Sequence, residues 1–585
     1  MSKIHPLIQQ LSKLRESSKE AVADANIVLD DELKRYLHIR RSIEQELEGQ
    51  ILEAYNQDGP GLIMVCGNVG DGKSHLLSKL KESKKLKDVL PAFTTYNDAT
   101  ESFSPNETSN HALRRKLAGF ADVKLGEGNP RIILAINLGT LNNFLEEYGA
   151  EFSHMDSYVR RKGIIDEDVS LDHHTEEQDR YFRYVNFTNR HFFNLGPHGA
   201  LASPIAELLE KVVSAEKNNP IYQGYLQAKE ESWAPFDPVL HNYELLFKSA
   251  YREVVAQLIV TCIVMEKQII SFRQLLNFIY DIIVPYQLSK IYGPDYGHEI
   301  AKKDIGQRLA FSLPYYIFEN PNLSKIFHSL NVHDPAVRRY EGMDERIILL
   351  FTEVDPLNWL SVEYKDLFPR SSGFEIHPDL DYKIISKAYL RYEFFDRAED
   401  IRYGDNYFRE YLKYLYAFNN GDKPGLRGVV DLVKSATYAW NGGTIEKKVI
   451  IVPTAVKNST YRVFKDLTLK GSWSKDMELR GMDEISEFRQ ELMLKFSTGD
   501  NNPTEPFDLA IDYALFVLLK SVSLGYRPNK IDRYTYIGFD RFVEQVTFSS
   551  IEMKTLYVDQ INFGKPLDYQ FDFDEENDEF TFIKK

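Results

Sequence analysis

Eight residues have the types and spacing of a phosphate cradle. Gly67-Asn68-Val69-Gly70-Asp71-Gly72-Lys73-Ser74 fits G-x-x-x-x-G-K-[ST] at every fixed position. Gly67 and Gly72 let the backbone turn with little steric penalty, so that successive N–H groups can face a phosphate. A helix starting near Lys73 would add the positive end of its dipole. Lys73 offers a point charge to the β- and γ-phosphates, and the Ser74 hydroxyl offers a hard oxygen to Mg²⁺. His75 follows directly and joins the nucleotide-binding set. The expected ligands are ATP and Mg²⁺. The alternative is a glycine turn whose lysine is merely solvated.

Hydrolysis needs more than a cradle. An acid near a strand end must hold the metal, and a polar or acidic group must orient water. No apolar run followed by Asp-Glu occurs between 84 and 150. The substitute is Thr94 to Glu101, in which Asp98 organises the metal and Glu101 polarises water. The same residues also suit an Asx-turn with a helix cap. Asn137, at the end of Arg131 to Ile136, suits an amide touching a γ-phosphate or the attacking water, or else a cap for the next helix. Ile347 to Phe351 reads as a strand leading to Glu353 and Asp355, and makes Asp355 a rival metal-holding acid. Arg273 stands near the start of a helix, where a lid arginine reaches the γ-phosphate. Arg114 and Arg115 are candidates for fingers acting on a neighbouring subunit, although most such arginines are simply solvated.

Those groups need a scaffold. Leu62 to Cys66 reads as a buried parallel strand bounded by glycine. A helix follows with Leu76, Leu77 and Leu80 on one side. Strands at Phe93 to Asn97 and Arg131 to Ile136 alternate with helices at His111 to Phe120 and Thr140 to Tyr148, as in a parallel sheet covered by helices. The expected fold is an α/β P-loop NTPase core (56–240), with an irregular insertion at about 151–240. A helical N-terminal segment (1–55) precedes it. A helical lid-like region (241–335), a mixed, mostly helical region (336–445) and an α+β C-terminal domain with an acidic tail (446–585) follow. In the last part Val449 to Val452 reads as a strand and 507–546 as helical.

Composition narrows the class. The 585 residues include 71 Lys and Arg against 87 Asp and Glu, a net charge of −16. Such a chain repels polyanions overall, so contact with DNA calls for a local basic patch or for partners. Cys66 and Cys262 cannot form a disulfide framework or a structural zinc site alone. The N-terminus has no continuous apolar stretch of the kind secretory signals carry, and Ala256 to Met265 is too short to span a bilayer. A cytoplasmic protein is expected. Asp172-His173-His174 is a weak metal tract because adjacent side chains do not converge on one ion. Pro378 to Lys383 compresses a nuclease-like PD…DxK pattern into six residues, too few for two strands. The chain is not expected to cut DNA itself.

Several segments in order carry a resemblance. They are Leu33-Lys34-Arg35-Tyr36-Leu37-His38-Ile39, the glycine loop with GKSHLL, Asn97 to Ser102, Ala135 to Gly139 and Ser271 to Leu276. The loop is similar to those of AAA+ and related ATPases of the additional-strand class. Together the segments resemble the DptF (DndF) family, ATPase-like subunits of DNA phosphorothioation-dependent restriction systems, over about 1–290. The resemblance implies a bacterial complex with DptG-like and DptH-like subunits that restricts DNA lacking the sulfur modification. It implies ATP-Mg²⁺ at Gly67, Gly72, Lys73 and Ser74, with Asp98, Glu101 and Asn137 as candidates for catalysis. A nucleotide-binding scaffold that recruits partners with little hydrolysis is the competing expectation.

Overall fold

The computed structural model describes residues 4–15, 32–68, 71–97, 108–165, 177–187, 190–231, 233, 236–289, 295–303, 305–337, 343–352, 382–396, 406–442, 449–453, 461–472, 478–498, 506–549, 555–560, 569–574, 577 and 579–584. Val69, Gly70, Asp98, Glu101, Asp172 to His174, Asp355 and the segment 378–381 lie outside the described residues. The chain forms two compact units. The first comprises Met1–Phe193 and Ala202–Gly404, and the second Asn194–Leu201 and Asp405–Lys585.

The first unit is mixed α/β. It opens with α1 (Pro6–Leu11), α2 (Glu32–Tyr36) and α3 (Ser42–Asn56). Then come β1 (Gly61–Cys66), α4 (Lys73–Leu80), β2 (Thr94–Tyr96), α5 (Ser109–Lys116), β3 (Arg131–Ile136), α6 (Leu138–Tyr148), α7 (Ser153–Arg161) and β4 (Phe182–Asn186). The four strands are parallel, in the order β2-β3-β1-β4. All six residues of β1 are buried, as a central strand covered on both faces requires. Period-two alternation splits the core. Met64, Leu134 and Ile136 pack with Phe120, Phe144 and Phe152 on the α5–α7 face. Ile63, Val65 and Ile133 pack with Ile43, Leu47, Ile51, Leu76 and Leu80 on the α3–α4 face. Register places Cys66 beside both Ile136 and Asn186, so Gly67, Asn137 and Phe187 leave the sheet side by side.

Residues 151–240 do not form the expected irregular insertion. They supply α7, the sheet strand β4, and helices α8 (Ser203–Val213), α9 (Pro220–Glu231) and the start of α10 (Pro238–Leu245). In β4 the partly exposed Arg183 and Asn186 alternate with the buried Phe182 and Val185. The rest of the unit is helical. It contains α11 (Ser249–Met265), α12 (Phe272–Ile283), α13 (Tyr296–Ala301), α14 (Ile305–Ala310), α15 (Leu313–Tyr316), α16 (Lys325–Val332), α17 (Met343–Thr352) and a helix over Tyr382–Asp396. The strand expected at Ile347 to Phe351 is helix α17. Asp344 and Glu345 sit in its first turn, where they complement the helix dipole. Ile348, Leu349 and Phe351 are exposed, so this apolar run is not a buried strand.

A buried ionic cluster ties the late helices together. The Arg391 guanidinium is fully buried and donates two hydrogen bonds to the Asp334 carboxylate, at 3.0 and 2.6 Å. It also donates to Glu319 Oε1 at 2.7 Å and to the Tyr315 carbonyl at 3.2 Å. Its plane lies over the Tyr315 ring.

Among the described residues the second unit has three sheets. A hairpin joins β5 (Asn194–Gly196) to β6 (Gly199–Leu201). Strands β7 (Val449–Val452), β8 (Tyr461–Asp466), β12 (Thr555–Gln560), β13 (Tyr569–Asp574) and β14 (Glu579–Lys584) form an antiparallel sheet. Strands β9 (Leu469–Ser472), β10 (Leu492–Thr498) and β11 (Phe507–Ile511) form another. The expected helical block at 507–546 therefore begins with a strand. Its helix starts at Tyr513, where the Asp512 carboxylate accepts from Leu515 N at 2.7 Å. Among the described residues no helix is long and apolar enough to cross a membrane. Both cysteines are free and buried, Cys66 at the end of β1 and Cys262 in α11. Burial pushes the Cys66 thiol up to about 12, against the opposing pull of Lys73.

Candidate functional site

The site lies at the carboxyl end of the parallel sheet, where α/β folds gather their ligands. β1 delivers Gly67 into the turn, and the turn ends at Gly72, the N-cap of α4, with φ +95° and ψ +19°. That left-handed conformation suits glycine and costs other residues about 1–2 kcal/mol. Gly72→Ala is accordingly expected to lower stability by about 1–2 kcal/mol, read from urea unfolding. Gly67 is constrained differently. A Cβ there would stand 2.9 Å from Asp71 Oδ2 and 2.9 Å from Phe187 Cβ. Phe187 N in turn donates to the Cys66 carbonyl at 3.0 Å, which locks the two strand exits together.

No side chain caps α4. The amides of Lys73, Ser74 and His75 therefore have no intrahelical acceptor and carry the helix's positive end. The Lys73 ammonium donates to the Gly67 carbonyl at 2.8 Å, to the Asn68 carbonyl at 2.6 Å and to Asn137 Oδ1 at 2.9 Å. The structure thus brings Asn137, 64 residues away in sequence, onto the lysine. Asn137 is also the N-cap position of α6, but its side chain makes no capping bond there. With Oδ1 engaged by Lys73, its NH₂ group is the end left to donate.

Asp71 closes the turn. Its Oδ2 accepts from Asn68 N at 2.6 Å. Burial raises its pKa, while the Asn68 amide, Lys73 and Arg41 pull the other way. Arg41, just before α3, reaches across to the Asp71 carbonyl at 3.4 Å. Its guanidinium lies over the rings of Phe187 and Phe192, at 5.0 and 5.5 Å from their centroids. Burial lowers the Arg41 pKa, opposed by Glu44 and Asp71.

A second chain of contacts runs along the start of α4. His75 Nε2 and His38 Nδ1 are 3.0 Å apart, and His38 Nε2 is 3.2 Å from Glu44 Oε2. Burial raises the Glu44 pKa, but bonds from His38 and the Arg41 amide outweigh it and hold the carboxyl below its usual range. The ionised carboxylate only accepts, so His38 Nε2 donates to it. Burial, with His38 and Arg41 nearby, pushes His75 down to about 3 and keeps it neutral. His75 also stacks on Phe272, which stacks on Phe192. His38, Ile39, His75, Phe192 and Phe272 line a small cavity beside Gly72.

The structure thus gathers Gly67, Asn68, Asp71, Gly72, Lys73 and Asn137, with His75 in the same first turn of α4. Ser74 is half-buried at the second position of α4. Arg273 occupies the first turn of α12, one residue after Phe272. Arg114 is held at the surface by Glu151 at 2.7 Å, over Tyr148. Sequence reasoning passed over Arg41, His38, Glu44, Phe187, Phe192 and Phe272. The one available signal was the placement of His38 and Arg41 just before, and of Glu44 in the first turn of, the helix that leads into β1.

A hard oxygen set for Mg²⁺ is partly present. The Ser74 hydroxyl makes no hydrogen bond among the described residues, and Mg²⁺ retains water and phosphate oxygens for most of its shell. No group of three or more His, Cys, Asp or Glu able to hold a metal occurs among the described residues. Comparison with protein-family models and with curated proteins gave no match.

Proposed function

We propose that the chain binds ATP with Mg²⁺ at the Gly67–Ser74 loop and hydrolyses it, as a subunit of a bacterial complex that restricts DNA lacking phosphorothioate modification. The observation that carries the nucleotide reading is the meeting of Lys73, Asn137 and the uncapped first turn of α4 at one end of a parallel sheet. A triphosphate tail is matched by the N–H groups and dipole of that helix start. On binding, the Lys73 ammonium exchanges the Gly67 and Asn68 carbonyls for phosphate oxygens. The Asn137 NH₂ group then donates to the γ-phosphate or to the attacking water. The restriction role, and DptG-like and DptH-like partners, rest on the sequence resemblance.

Ser74 and Asp98 are the groups proposed to hold Mg²⁺, and Glu101 the group that polarises water. Mg²⁺, when bound, neutralises charge on the β- and γ-phosphate oxygens. β3 lies between the strand that enters the loop and β2, which leads to Asp98 two residues beyond Tyr96. This inserted strand supports the additional-strand reading. Asp98→Ala is expected to keep ATP bound and to slow hydrolysis by at least about tenfold, ~1.4 kcal/mol of barrier, in a phosphate-release assay.

One observation favours the alternative, a nucleotide-held scaffold with little turnover. The strand beside β1 ends in the neutral Asn137 and not in a carboxylate. Phosphate release from the purified chain with its partners and DNA separates the two. Release above background supports the ATPase, and none supports the scaffold.

A further inference from the structure

Away from the glycine loop, the first unit carries a groove of about 980 Å³. One wall is α12, whose start is fixed by a reciprocal cap. Gln274 N donates to Ser271 Oγ, and Ser271 N donates to Gln274 Oε1. Asn277 and Asp281 lie one turn apart on the same face of α12 and both line the groove. Asn277 Oδ1 is buried and has no hydrogen-bond partner among the described residues. No hydrogen bond or ion pair reaches the Asp281 carboxylate among the described residues. Burial pushes Asp281 up to about 6, and Arg15 only partly opposes this. Arg15 is held over the Tyr280 ring at 4.9 Å. Two acceptors in search of donors thus stand side by side. An isolated buried acceptor is destabilising, and a ligand's N–H group would satisfy it.

The groove's other lining is mixed in sign, with the exposed Glu266 beside two lysines. Lys267 and Lys325 line it and are exposed. Lys267 has φ +50°, a left-handed conformation uncommon outside glycine. A bare organic cation fits the wall but not these lysines.

We propose that this groove binds a small ligand with a planar guanidine-type edge and an anionic group. The edge donates its N–H groups to Asn277 Oδ1 and the Asp281 carboxylate, and the anion lies towards Lys267 and Lys325. Arginine and guanine nucleotides share this N–C–N edge. Calorimetry of the full chain with L-arginine, with GMP and with agmatine distinguishes the sources. Arginine or GMP is expected to bind. Agmatine, which lacks the anion, is expected to bind at least about tenfold more weakly. Asp281→Asn and Asn277→Leu are each expected to weaken binding by about tenfold or more. Lys73→Ala is expected to leave it unchanged, which separates this groove from the glycine loop. Two variants are used so that a folding defect in one still leaves a test. No binding of arginine or GMP, or wild-type binding in the folded variants, overturns the site. Equal affinity for agmatine overturns the role of the lysines.

Discussion

Lys73→Ala is expected to lower ATP affinity by at least about 100-fold. The ammonium is the one side-chain cation seen within hydrogen-bonding reach of both the loop carbonyls and Asn137 among the described residues. Charge-assisted hydrogen bonds to phosphate contribute about 1.5–3 kcal/mol each, so losing them lowers affinity by at least about 100-fold. Calorimetric titration with a non-hydrolysable ATP analogue measures it. Lys73→Arg does not restore full affinity, because a planar fork does not replace a compact point charge under a tight turn. Unchanged affinity in Lys73→Ala removes the nucleotide assignment altogether. The fold should survive, since the carbonyls released are at a half-exposed loop that water can reach.

Arg391→Met has the largest expected effect on stability. Asp334 is 1% exposed, and the substitution leaves its carboxylate buried without its bidentate partner. Breaking a buried pair from one side costs about 3–5 kcal/mol. Urea unfolding of the whole chain reads this as a lower midpoint for the first transition. Arg391→Met with Asp334→Leu should recover much of the loss, because the stranded charge goes with its partner. Acid acts on the same cluster. Burial raises the Glu319 pKa, but bonds from Lys387 and Arg391 outweigh it and depress the carboxyl below its ordinary range. Its contribution is therefore complete above the ordinary glutamate pKa and fades as pH falls through the depressed value. Arg391→Met should flatten that part of the acid-unfolding curve.

The glycine loop was legible because its chemistry and its supports are contiguous. An apolar strand, a turn and an amphipathic helix fall within Leu62 to Leu80, and each obeys a local rule. Asn137 was legible for a similar reason, since it ends a strand of five successive apolar residues. Four features were not. β4 carries Arg183, Tyr184 and Asn186 among its five residues, and only pairing with β1 makes it a core strand. Ile347 to Phe351 is apolar enough for a strand, but the acids at Asp344 and Glu345 start a helix and length did not arbitrate. Arg41, His38 and Phe272 meet the loop only through tertiary packing, and no spacing rule connects residue 38 with residue 272. The Arg391 cluster is hidden likewise, because its acids lie 57 and 72 positions upstream.

Native thiols offer a clock for motion in this molecule. Cys66 sits where β1 hands over to the glycine turn, and its proton is held so firmly that the reactive thiolate is scarce while the sheet stays closed. Alkylation of that sulfur must then wait for the strand to open, so its time course counts openings at the mouth of the cradle. Cys262, buried in α11, keeps separate time for the helical part. Slower labelling at the first sulfur alone, on adding a triphosphate, would register ligand grip without any engineered reporter.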